Sequence, residues 1–312
     1  MFEIADRLLA AVDTGRQLAV ATAVSIDGSA PRTVGTSMAY DGLAVIGSIA
    51  GGCVEAEVVA ACEAVLADGV PRTVEYGIED ETAFVAGLSC GGQLRIHIQL
   101  LDARLADLLR RRVPITTIVP CDGAAPMVFV EQPPSPARMI IFGAMEFSTA
   151  LAAAAAVLGY RVTVCDPRPL FATAARFPGV DVIVQWPTEW LTNEISAGAI
   201  SETTVICVLS HDSRFDAELI DIALRSPAAY VGAMGSRTTH DRRLSSLAER
   251  GVEPALIERL HSPIGLDLGA STPEETAISI LAEVLAACTA ASARPLSRTD
   301  GAIHPTAIRV TR

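Results

Sequence analysis

The opening stretch, "MFEIADRLLAAVDTG", repeats apolar residues at helical spacing, with Phe2, Ile4, Leu8 and Leu9 on one side, and so predicts an amphipathic helix. The period then shortens. "LAVATAVSI" is a run of β-branched and small apolar residues that suits a buried strand, "DGSAPRTVGTSMAY" supplies turn residues, and "LAVIGSI" resumes strand character. Together they predict a hairpin-like unit with a long polar loop. Helical spacing returns in "CVEAEVVAACEAVLADG", where Val54, Val58, Val59 and Leu66 are the candidate buried positions and Gly69 the C-cap. In "QLRIHIQLL" Leu94, Ile96 and Ile98 alternate with polar residues, which predicts a strand with His97 as a half-exposed structural residue.

The pattern changes again after "APMVFVEQPPSPA", a proline-rich stretch that fits a linker. A first domain over 1–120, a linker over 121–137, a second domain over 138–288 and a tail over 289–312 follow from it. "RMIIFGAMEFSTALAAAAAVLGYRVTVCDPRP" reads as strand, glycine turn, alanine-rich helix and second strand, the outline of a Rossmann-like parallel-sheet domain. Asp166 lies about 20 residues beyond the glycine turn, where a ribose hydroxyl is held in dinucleotide binders. The glycine fingerprint is reduced to Gly143, because Met145 and Ser148 stand at the second and third glycine places. A methionine at the second place obstructs the approach of a pyrophosphate, so an NAD(P) site is expected only in weakened form. "TTVICVLSHD" predicts a buried strand ending in Ser210, His211 and Asp212. "AAYVGAMGSRTTHDRRL" predicts a strand, a turn with Gly232, Gly235, Ser236 and Arg237, and a basic helix. Thr272, Pro273 and Glu275 spell a capping box at the start of a last helix.

Charge narrows the function classes. Lys plus Arg number 24 against 36 Asp plus Glu, a net charge of -12, which repels phosphate backbones and anionic lipid surfaces. Nucleic acid and membrane are therefore not expected partners. The longest apolar stretch, "TALAAAAAVLG", falls short of the roughly 20 residues that span a bilayer. Seven cysteines with no CxxC and no paired spacing read as reduced thiols of a cytoplasmic protein.

Candidate chemistry gathers in the first half. Gly51 and Gly52 precede a helix, where free N–H groups and the helix dipole favour an anion and would lower the pKa of Cys53. The alternative for GGC alone is a tight turn with a small core cysteine. A second occurrence, Cys90 beside Gly91 and Gly92, turns attention to a shared concave site in which soft sulfur and backbone donors face a ligand. Ser29 and Arg32 stand in the polar loop, as ligand residues or as a solvated turn. In the second half the strand end with His211 and Asp212, facing the turn with Gly235, Ser236 and Arg237, reads as an anion or metal pocket, or His211 merely organises its loop; Gly143 and Asp166 belong to the weakened dinucleotide site.

The stretches "GSAPRTVGTSM", "GSIAGGCVEAEV", "SCGG", "SHD", "VGAMGSRTTHDRRL" and "PIGLDLGASTPEETAISILAE", in that order over nearly the whole chain, resemble the XdhC/CoxI family of molybdenum hydroxylase accessory proteins. The resemblance implies an α/β chain with an N-terminal α/β XdhC-type domain and a C-terminal Rossmann-like domain. It implies a non-catalytic chaperone that binds the molybdenum cofactor (molybdopterin), assists its sulfuration with a cysteine desulfurase, and delivers it to a hydroxylase apo-enzyme of the xanthine or carbon monoxide dehydrogenase kind. Cys53 and Cys90 would approach the molybdenum, the glycine turns and the loop from Ser29 to Gly35 would cradle the pterin phosphate, and a homodimer is implied by analogy. Where members often carry a GAGH-like turn, this chain has "GAME", with Met145 and Glu146. An NAD(P)-dependent oxidoreductase and a persulfide-carrying sulfurtransferase stand as alternatives.

Overall fold

In the computed structural model, residues 1–27, 32–52, 54–76, 93–120, 125–133, 137–212 and 214–300 are described. The chain divides into two compact units, Met1–Pro134 with Leu296–Arg312, and Ser135–Pro295.

The first unit opens with a 3-10 turn (Phe2–Ile4) and α1 (Ala5–Asp13), followed by β1 (Ala19–Asp27), β2 (Ser37–Tyr40), β3 (Val45–Gly47), α2 (Glu55–Asp68), β4 (Arg72–Tyr76), β5 (Gln93–Leu100) and α3 (Ala103–Arg110). Among the described residues its main sheet has five strands in the order β3-β2-β1-β5-β4, each pair antiparallel. Central strand β1 is buried on both faces because its two side-chain rows meet different helices. Ala19, Ala21 and Ala23 face α2, where Val58, Cys62 and Val65 are fully buried, while Leu18 and Val20 join Leu8 of α1 and Leu105 and Leu109 of α3. Each such Val or Leu contributes roughly 1.5–3 kcal/mol of burial. Helix α2 ends as its sequence predicts, at Gly69 in the left-handed region (φ +74°).

A two-stranded ribbon, β6 (Ile115–Val119) with β7 (Met127–Glu131), completes the unit. Three expectations are corrected here. Met127–Glu131, read as part of a linker, is a strand, because the prolines flank "MVFVE" and leave its amides free to pair with β6. Ser37–Tyr40, read as loop, pairs with both β1 and β3. His97 is buried rather than half-exposed, 4% accessible, with Nδ1 3.1 Å from Thr73 Oγ1 across the strand pair; burial pushes its pKa down.

The second unit runs β8 (Arg138–Phe142), α4 (Glu146–Val157), β9 (Arg161–Cys165), β10 (Asp181–Ile183), α5 (Pro187–Ser196), β11 (Val205–Val208), α6 (Asp216–Arg225), β12 (Tyr230–Ala233), α7 (Arg237–Glu249), α8 (Pro254–Ile257), β13 (Leu260–His261) and α9 (Pro273–Thr289). Six described strands form a parallel sheet in the order β10-β9-β8-β11-β12-β13, the doubly wound order with its switch point between β8 and β11. Ile140 and Phe142 pack with α5 and α6; Met139 and Ile141 pack with α4 and α9. Coverage on both faces is why β8 reads as an unbroken apolar run. Thr272 and Glu275 form the expected capping box. Gly232 lies inside β12 rather than in a turn, paired with Cys207 on one side and His261 on the other, and a Cβ there would meet the Ile264 side chain at 2.5 Å and the Tyr230 ring at 2.7 Å.

The switch point is closed by a glycine. Gly143 has φ +103°, and a Cβ on it would lie 2.8 Å from the Ser210 amide nitrogen and 3.0 Å from its Cα. Gly143→Ala is therefore expected to cost about 2 kcal/mol or more, from backbone strain and overpacking together. Urea denaturation checks it; an unchanged midpoint would mean that the β8 and β11 ends separate freely.

Candidate functional site

The turn between β3 and α2 is organised by one side chain outside the sequence-predicted set. Glu55, at the start of α2, folds its carboxylate back over the turn. Its Oε1 accepts from the Ser48 hydroxyl at 2.7 Å and from the Ala50 and Ile49 amides at 3.0 and 3.3 Å. Its Oε2 accepts from the amides of Gly52 and Val54, at 2.8 and 3.2 Å. Gly51 in turn donates to the Ser48 Oγ at 3.1 Å. Partial burial pushes the Glu55 carboxyl pKa up, but the donors from Ala50, Ser48, Gly52 and Val54 outweigh it and hold it below the usual carboxylate range. The backbone donors expected to be free for an external anion are thus engaged by the chain's own carboxylate. The spacing from Gly52 to Glu55, at which a first-turn acid reaches back to an amide, was the signal available for it.

Gly51 (φ +77°) and Gly52 (φ +113°) need glycine for their backbone, and a Cβ on either would meet nothing within 4 Å. Both are exposed. The turn is held from behind by Glu55 and is open in front. Ser29, Cys53, Cys90, Gly91 and Gly92 lie outside the described residues. Arg32 is described: its guanidinium donates to both Glu3 oxygens at 3.1 and 3.0 Å, and Glu3 also accepts from the Ser37 amide at 3.1 Å. Arg32 and Ser48 border the same cleft, of about 420 Å³, together with Glu3, Ile4, Arg7, Val45 and Gly47. Arg7 carries no sequence signal, since it reads as an ordinary polar-face residue of an amphipathic helix.

The described thiols of the core are unsuited to chemistry. Burial pushes Cys62 and Cys165 up to about 12 and raises Cys207 as well. Among the described residues no group of three or more His, Cys, Asp or Glu could hold a metal ion.

In the second unit Gly143, Asp166 and the 210–212 segment meet at the carboxyl ends of β8, β9 and β11, as the sequence predicts. The expected ribose acid is otherwise engaged. Asp166, 1% accessible, accepts from the Ala144 amide at 2.7 Å and from the Arg168 side chain at 2.9 and 2.7 Å. Its burial pushes the pKa up, yet Arg168 and the amide donors bring it below the usual range. Asp212 is likewise paired with Arg214, which holds it down at about 2. Glu146 stands in the first turn of α4, paired with Arg176, so a carboxylate already faces the end of the helix where a phosphate would lie. His211 is exposed. Ser236 caps α7 by accepting from the Thr239 amide at 3.1 Å, Gly235 gives room to Thr239 and Arg243, and Arg237 is exposed. Ser210 is buried, and its Oγ has no partner among the described residues.

Comparison with known proteins adds the family context. Residues 11–77 match the model of the XdhC and CoxI family, and residues 139–284 match that of the XdhC Rossmann domain. The chain is 29% identical to the Escherichia coli K12 protein YqeB over 86% of its own length, and spans 43% of that relative. It is 26% identical to a probable xanthine dehydrogenase subunit of Bacillus subtilis, covering 88% of this chain and 94% of that one. It is 25% identical to the molybdenum cofactor insertion chaperone PaoD of Escherichia coli K12, covering 88% and 84%. A crystal structure named as a xanthine dehydrogenase from Bacillus halodurans shares the fold, with a TM-score of 0.74, 23% identity, and coverage of 96% of this chain and 97% of that one.

Glu55→Gln removes the charge but keeps the size, and is expected to destabilise the protein by about 1–2 kcal/mol at neutral pH, since hydrogen bonds to a charged group exceed neutral ones. Because the folded-state pKa lies below the usual 4.5, this contribution is complete above 4.5 and disappears as pH falls through the folded value. Denaturant melts of both proteins across pH 3 to 7 test it. A gap that persists undiminished at the acid end would refute the charge-based account.

Proposed function

Because the chain belongs to the XdhC and CoxI family, we propose that it is an accessory protein of a molybdenum hydroxylase that binds the molybdenum cofactor and hands it to the apo-enzyme. The observation that carries the reading is the turn of residues 48–54. Its glycines leave the front open, while Glu55 clamps the amides on both sides of position 53. The clamp fixes the flanks of that position, Gly52 and Val54, at a helix start. The residue between them in the sequence is a cysteine, and a thiolate suits a soft metal centre. The likeness to PaoD supports the same reading.

The residues present fit such a cargo at two ends. Soft sulfur from Cys53 and Cys90 suits the molybdenum; guanidinium groups suit the pterin phosphate, because the turn amides are already engaged. The bound group would supply the redox centre of the client enzyme, and this chain would hold and shield it. In this reading a cysteine desulfurase provides the sulfur that replaces an oxo ligand, and the chain works as a homodimer in the cytoplasm. The second unit serves as a scaffold, since Asp166 and Asp212 are each paired with an arginine and Met145 stands where a dinucleotide needs glycine.

Molybdenum and pterin content after co-expression with the cofactor pathway tests the proposal. The native chain is expected to carry cofactor near stoichiometry, and Cys53→Ser and Cys90→Ala to lose most of it. A native chain that is free of both would overturn the reading.

A further inference from the structure

The chain contains no lysine, so its permanently charged side-chain cations are all guanidinium groups. Two of them line one cleft. Arg7 projects from α1 and has no hydrogen-bond or ion-pair partner among the described residues, although the chain carries 36 carboxylates. Arg32 enters from the loop before β2, oriented by its contacts to Glu3. Ser48, with its hydroxyl on the glycine turn, lines the same cleft, as does Gly47, where a Cβ would sit 2.8 Å from the Ser37 carbonyl oxygen. With Glu3 as the acid among the lining residues, the cleft carries a net positive charge on a chain of net charge -12.

We propose that the cleft between Arg7 and Arg32 is a binding site for a phosphate monoester. Two guanidinium forks on the walls of one cleft are the chemistry that takes a tetrahedral dianion. The neighbouring helix start does not compete for it, because the Ile49, Ala50, Gly52 and Val54 amides donate to Glu55. Glu3 is the internal competitor: its carboxylate occupies one edge of Arg32 and opposes an incoming anion. The identification of this monoester with the phosphate end of a pterin cofactor rests on the function proposed above; the site itself rests on the geometry alone.

Calorimetric titration of the full chain with inorganic phosphate tests the site. Arg7→Ala and Arg32→Ala are each expected to weaken phosphate by about tenfold, the loss of a charge-assisted pair. Arg104→Ala, which removes an exposed guanidinium of α3 outside the cleft, is expected to leave it unchanged. Glu3→Gln keeps an acceptor for the Ser37 amide, removes the competing charge, and is expected to tighten binding. Because this variant is a gain, misfolding cannot imitate it. Phosphate binding that ignores Arg7 and Arg32, or that is absent from the native chain, overturns the site. The co-expression assay separates the two proposals. If phosphate follows the arginines while the native chain carries no pterin, the site stands and the chaperone reading falls. If Arg7→Ala and Arg32→Ala keep full cofactor content and unaltered phosphate affinity, the site falls and the chaperone reading stands.

Discussion

Donors from Ser48, Ile49, Ala50, Gly52 and Val54 converge on the carboxylate of Glu55, and the path of the chain from β3 into α2 is set by that convergence. A turn with two left-handed glycines is entropically expensive to order, and its amides would be left unpaired at the helix start. One acid meets both costs. It also decides what the turn can do: the positive end of α2 is neutralised from within, so an anionic ligand must find its cations elsewhere. The neighbouring cleft with Arg7 and Arg32 supplies them.

That arrangement depends on what lies beneath it. α2 approaches β1 closely because Ala19, Ala21 and Ala23 present only methyl groups on that face, and Val54, Val58, Cys62 and Val65 fill the space above them. A larger residue in the alanine row would lift the helix and with it the start of α2, where Glu55 sits. The opposite row of β1 is filled by α1 and α3, so the strand that supports the turn is clamped from both sides.

The second unit solves a comparable problem differently. Its sheet has the strand order of dinucleotide-binding folds, and Gly143 lets the β8 end pass close to Ser210. Yet the acids at that edge are paired internally, Asp166 with the Ala144 amide and Arg168, Glu146 with Arg176 and Asp212 with Arg214, while the buried Ser210 Oγ has no partner among the described residues. Architecture and ligand chemistry are separable here, because strand order is set by apolar faces and short crossovers, whereas binding needs polar groups left unpaired.

Much of this was legible along the chain. Periodicity marked α1, β1, α2, β5 and β8, and capping residues marked the end of α2 at Gly69 and the start of α9 at Thr272, since burial on one face and unsatisfied helix ends leave local traces at fixed spacing. The motifs also placed the glycine turns and the family. What local spacing could not convey was which polar groups find each other. "SMAY" and "MVFVE" are strands because neighbours pair with them; His97 is buried and finds its partner in Thr73 on the facing strand; Glu55 and Asp166 are spent on donors of their own chain; Arg7 matters because folding brings it to the same cleft as Arg32. The sequence by itself marked most of the elements and the kinship. Tertiary structure alone decided which charges are already paired and which remain for a ligand, because that depends on distances between residues far apart in the chain.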